Sequence, residues 1–125
     1  MKTKLIIFDL DGVLVEAKNI HFDALNVALG SKYEISWKEH LSMYDGLKTN
    51  QKLDMLTDQK GLPIELHKEI WENKQKLTLQ KLKELKPNKT LQSLMNALVE
   101  DEYKIAVCSN SIRKTVLTVL SKLGI

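Results

Sequence analysis

The sequence lacks most of what would tie a chain to a membrane, a secretory route or a polyanion. No stretch comes near the roughly 20 consecutive apolar residues that a bilayer-spanning helix takes. The N-terminal apolar run, Leu5 to Phe8, is much shorter than the apolar region of a secretion signal, and acids follow it at once. Cys108 is the only cysteine, so no internal disulfide can form, which fits a reducing compartment. Charge of one sign is scarce too: 19 Lys and Arg against 16 Asp and Glu leave +3, too little to argue for a polyanionic partner. The expectation is a cytoplasmic protein with no nucleic-acid and no membrane partner, its oligomeric state open. Asn88-Lys89-Thr90 has the form of a glycosylation sequon, read as chance in a chain without a secretion signal. What is present is 125 residues, 43% hydrophobic and 28% charged. That suits one ordinary soluble domain, but not a core plus a second full-sized one.

The chain is organised around Lys4-Leu5-Ile6-Ile7-Phe8-Asp9-Leu10-Asp11-Gly12-Val13-Leu14. Leu5 to Phe8 is continuously apolar rather than alternating, the pattern of a strand buried on both faces of a parallel sheet. Asp9 then falls at the strand's C-terminal end, where open α/β sheets bind ligands. Gly12 lets the backbone leave the strand with little steric restriction, so that Asp9 and Asp11 can converge outside the sheet edge. Asp-Gly after a strand is also an ordinary turn signal and by itself needs no chemistry. Two neighbouring carboxylates repel unless a cation, a shared proton or a substrate separates them, which makes the pair a candidate for metal binding or acid/base work.

Beyond this stretch the pattern turns helical. Ile20, Ala24, Val27 and Ala28 form one stripe, with Asn19 as N-cap and Gly30 as stop. Ser36-Trp37-Lys38-Glu39 has capping-box form and opens a short helix that Tyr44-Asp45-Gly46 breaks. A third helix runs from about Thr49 to Gly61 with Leu53 and Leu56 facing inward, and a fourth from Pro63 to about Leu85, before Pro87. On the fourth, Lys74, Lys76, Lys81 and Lys83 read as a solvated basic face. From about Glu16 to Lys86 no strand is convincing, which suits a small antiparallel bundle. Leu91, Leu94, Met95, Leu98 and Val99 make Thr90 to Glu100 amphipathic. Lys104 to Cys108 is a second continuous apolar strand ending in Ser109-Asn110-Ser111. Ser111 is expected to cap a last helix that carries Ile112, Val116, Val119, Leu120 and Leu123 and stops at Gly124. Two such strands separated by helices imply a right-handed parallel crossover, which brings Asp9, Asp11 and Ser109 to one edge.

Phe8-Asp9-Leu10-Asp11-Gly12-Val13-Leu14 resembles the first motif of the haloacid dehalogenase superfamily, in its phosphatase and β-phosphoglucomutase-like branch. The second strand with Ser109-Asn110 resembles that superfamily's second motif. The resemblance implies an α/β fold: an incomplete parallel Rossmann-like core from residues 1–15 and 88–125, with an inserted α-helical cap at 16–87. It implies a phosphatase of small phosphorylated metabolites, in which Asp9 attacks phosphorus and Asp11 is the general acid and base. Ser109 and Asn110 would bind the phosphoryl oxygens. Mg²⁺ would be held by Asp9 and the backbone carbonyl of Asp11, with acids from a later motif. In the cap, His21 has the spacing of a histidine near the active site in many relatives, a partly buried structural histidine being the other reading. His40 and His67 have no ligand-like neighbours. Gly46-Leu47-Lys48-Thr49 resembles the loop that reads the substrate, which makes Gly46 and Lys48 substrate-binding candidates. Thr49 stands where β-phosphoglucomutases have Arg, so sugar phosphomutase is the second reading. The superfamily's later Lys and acidic motifs are not in these 125 residues, and neither Lys114 nor Lys122 takes that role. The expectation is therefore a piece of a longer enzyme, the alternative being a short remnant with a binding or regulatory role.

Overall fold

The computed structural model describes residues 4–125. It divides into two units, Met1–Ala17 with Leu82–Ile125 and Lys18–Lys81. Residues 1–3 of the expected core segment lie outside the described residues.

The first unit is α/β. Strand β1 (Lys4–Asp9) pairs in parallel with β2 (Tyr103–Cys108), from Lys4 opposite Tyr103 to Asp9 opposite Cys108. Both strands therefore end at the same edge, as the parallel crossover requires. Helix α5 (Lys89–Glu100) precedes β2 and α6 (Arg113–Leu123) follows it. Asn88 caps α5 by accepting the Leu91 N–H at 3.0 Å, and Gly124 ends α6 in a left-handed conformation. The expected burial of β1 on both faces is not what the structure shows. Leu5 and Ile7 are 56% and 61% exposed while Ile6 and Phe8 are half-buried. Their register partners repeat the alternation, with Lys104 and Ala106 exposed and Ile105 and Val107 half-buried. One sheet face is thus open among the described residues. Under the other lies a mostly apolar cavity of about 600 Å³, reaching from Ile105 and Val107 to Met95 and Leu120.

The second unit is helical: α1 (Lys18–Leu29), α2 (Trp37–Glu39) continuing as a π-helical turn (His40–Tyr44), α3 (Thr49–Lys60), a 3₁₀ turn (Ile64–Leu66) and α4 (His67–Leu82), whose last residue falls in the first unit. The Ser36 capping box forms: Ser36 Oγ accepts the Glu39 N–H at 3.1 Å and Glu39 Oε1 accepts the Ser36 N–H at 3.0 Å. Gly61 closes α3 with φ +71°, which an L side chain rarely adopts. Its core joins Leu25, Leu29, Ile35, Tyr44, Leu53, Leu56, Leu62 and Ile70.

Four local expectations are corrected. Asn19 lies inside α1, which begins at Lys18, so it is not the cap. Val27 is 68% exposed, because the inward stripe runs through Ala24, Leu25 and Leu29. Pro63 does not open α4; it precedes the 3₁₀ turn, and α4 ends at Leu82 rather than Leu85. Lys74 is not on a solvated face but buried.

Candidate active site

Asp9 closes β1, its side chain exposed and its Oδ1 accepting the Leu10 N–H at 2.7 Å. The chain then turns tightly about Leu10, which is fully buried and whose carbonyl accepts the N–H groups of Val13, Leu14 and Val15 at 3.3, 2.9 and 3.1 Å. Gly12, at φ +80°, donates its N–H to the Val15 carbonyl at 2.7 Å. The positive φ is what lets the turn close so soon after the strand, and it holds Asp11 beside the strand end.

The other wall of the edge is the turn after β2. Ser109 Oγ accepts the Ser111 N–H at 3.0 Å, a side-chain turn that folds the loop after β2 on itself. Ser111 Oγ then donates to Asp11 Oδ2 at 3.3 Å, linking the two loops across 100 residues of sequence. This corrects the role read for Ser111. The position before α6 is held by Ile112, which offers no side-chain cap, and the Ser111 hydroxyl is turned to a carboxylate instead. Its type and place, a hydroxyl three residues beyond the second strand's apolar run, were visible; its partner was not.

A family model described as haloacid dehalogenase-like hydrolase matches residues 6–125, which takes in both strand ends. The chain belongs to that family. No curated protein matches the chain.

Of the residues expected at the site of this haloacid dehalogenase-like chain, Asp9, Asp11, Ser109 and Asn110 all lie in the α/β unit, at the carboxyl ends of β1 and β2. His21, Gly46 and Lys48 belong to the helical unit. There, His21 Nδ1 lies 2.9 Å from Lys74 Nζ. Gly46 has φ +79° in the loop before α3, and Lys48 precedes α3 with its N–H donated to Gln51 Oε1 at 3.0 Å. Lys74 is the functional candidate that the sequence reading passed over. A lysine among other lysines on a helix carries no signal of burial, and only its contact with His21 sets it apart.

The donor set suits a hard cation. The Asp9 carboxylate and the Asp11 carbonyl would offer oxygen donors, and Mg²⁺ is commonly held by one or two carboxylates with waters and substrate phosphate completing its shell. Among the described residues no three His, Cys, Asp or Glu side chains stand together as a closed metal cage.

Proposed function

We propose that the protein is a Mg²⁺-dependent phosphatase of small phosphorylated metabolites, working through an aspartyl-phosphate. The observation that carries this reading is the placement of Asp9 at the end of β1 with Asp11 tethered to the turn after β2. A nucleophile, an acid and hydroxyl or N–H donors at one sheet edge are what phosphoryl transfer needs. An oxygen of the Asp9 carboxylate attacks phosphorus as the bond to the leaving oxygen breaks, and the Asp11 carboxyl gives that oxygen its proton. Water then attacks the aspartyl-phosphate at phosphorus and passes a proton to Asp11, and the Asp9 carboxylate leaves with inorganic phosphate released. Ser109 Oγ and the Asn110 N–H donate to the phosphoryl oxygens. When bound, Mg²⁺ supplies the positive charge that lets a phosphate approach two carboxylates. His21, Gly46 and Lys48 stay candidates for substrate contact on the strength of the motif resemblance alone.

The test is phosphate release from a panel of phosphorylated metabolites by the protein of the full reading frame, with and without Mg²⁺, beside Asp9→Asn. Release that needs Mg²⁺ and falls to background in Asp9→Asn is expected, because an amide has no anionic oxygen to attack phosphorus. Undiminished release by Asp9→Asn would remove the covalent route. Reading the gene beyond codon 125 complements it: a downstream Lys motif and acidic pair support the enzyme, and a stop codon at that point supports the non-catalytic alternative.

A further inference from the structure

His40 opens the π-helical turn of the helical unit and is 1% exposed, yet neither ring nitrogen has a hydrogen-bond partner. Its ring stacks on Trp37, with centroids 5.3 Å apart and planes at 28°, and lies 5.3 Å from the Phe22 ring. Such a pocket suits a neutral imidazole and opposes a charged one. The acid beside it is Asp45, whose Oδ1 is 3.8 Å from Nε2, too far for a hydrogen bond, and whose Oδ2 is 3.6 Å from Lys18 Nζ. Glu39, the preceding residue, is engaged by the Ser36 N–H and by Lys60 at 3.1 Å. The cations acting on the ring are Lys52 of α3 and Lys18 of α1, and His21 of α1 adds to them only when it is itself protonated. Burial, followed by Lys52, lowers the proton affinity of His40 below the ordinary histidine value, and Asp45 only partly opposes them.

The same residue holds the loop that follows. The Asp45 N–H donates to the His40 carbonyl at 2.7 Å, the wide-turn bond that ends the π-helix. Gly46, Leu47 and Lys48 lie directly beyond it. We propose that His40 is a proton-operated latch for residues 40–48: the neutral ring keeps the π-helical turn closed, and protonation drives the ring out of the aromatic pocket and opens the turn together with the loop to Lys48. The ring cannot take up charge in place, because its pocket offers apolar rings, the ammonium groups of Lys52 and Lys18, and one acid already paired with Lys18.

The sign follows from linkage. The closed form binds the proton more weakly than the open form, whose histidine titrates near the ordinary ~6.5. The latch is therefore fully closed above that pH and loosens as the pH falls through it and below. The observations behind this device all lie in the helical unit and do not rest on the proposed phosphatase activity.

The test is hydrogen exchange at residues 40–48 and Trp37 fluorescence between pH 8 and 5, the latter in a Trp71→Phe background. We expect protection of residues 40–48, corrected for intrinsic exchange, to fall by up to about tenfold per pH unit below the transition, one proton's worth. Trp37 emission should change in step. His40→Phe, which keeps an aromatic ring in the pocket, should hold protection and emission flat over the same range. Because that variant can fail to fold, the His40 imidazole midpoint is also read by NMR in the unaltered protein and in Asp45→Asn. A midpoint below 6.5 that falls further in Asp45→Asn supports the latch. A midpoint at or above 6.5, or the same acid response in folded His40→Phe, overturns it.

Discussion

The helical unit and the α/β unit are built on unlike terms. In the helical unit eight buried apolar residues from α1, the π-helical turn, α3, α4 and their connections form one contiguous core, with Phe22, Met55 and Trp71 packed against it. In the α/β unit Leu5, Ile7, Leu94, Val99 and Leu117 are all exposed by two-fifths or more, no residue of α5 is buried, and a cavity of about 600 Å³ lies beside β2. The candidate carboxylates Asp9 and Asp11 and the hydroxyls of Ser109 and Ser111 nevertheless sit in this looser α/β unit. The tightest packing and these candidate groups thus lie in different units. Helices bury a stripe against each other with few residues, whereas a two-stranded sheet has two faces and two edges to cover and only α5 and α6 flank its second strand in sequence.

Four substitutions would break or sharpen that contrast. Asp11→Asn should slow hydrolysis of an alkyl phosphate by ~10²–10⁴-fold and that of an aryl phosphate, whose leaving group needs less help, by clearly less. Equal losses on both would remove the acid role. Leu53→Ala, at a fully buried position of the helical core, should cost about 2–5 kcal/mol in urea unfolding; a loss under 1 kcal/mol would mean that the helical unit is not where cohesion lies. Ser111→Ala removes the donor to Asp11 and should cost about 0.5–1.5 kcal/mol, read as up to roughly tenfold in kcat/KM with unfolding almost unchanged. A large drop in stability instead would make the link structural. Ile7→Thr, on the open sheet face, should shift unfolding by no more than about 0.5 kcal/mol. A loss above 2 kcal/mol would show that this face is covered in solution.

Many local signals were legible where the responsible residues are close in sequence, although the caps read at Asn19 and Ser111 and the helix start at Pro63 were not. The Ser36 and Glu39 capping box, the Gly61 and Gly124 stops and both strands stand where short-range pattern placed them. The first-motif match rests on seven consecutive residues, and the family assignment agrees with it. Less legible was the facing of each element. Continuous apolar residues in β1 pointed to two buried faces, yet Leu5 and Ile7 are open, because hydrophobicity records what a side chain prefers and not what lies opposite it. Val27 was placed on the inward stripe and Lys74 on the outward one, and both sit the other way round. A rotation of less than one helical turn decides such cases, and neighbouring elements set it.

By itself, then, the sequence determined the order of strands and helices, the ends of most of them, the family, and the pairing of an apolar strand with Asp9 and Asp11. These depend on backbone preferences and caps that act over three or four residues. Only the tertiary structure decided that Ser111 turns to Asp11, that Lys74 lies against His21, and that His40 is sealed among Trp37 and Phe22 without a hydrogen bond. Each of these joins residues from different turns of the chain, and a hydroxyl, an ammonium or an imidazole has no fixed role until packing supplies its partner and removes its water.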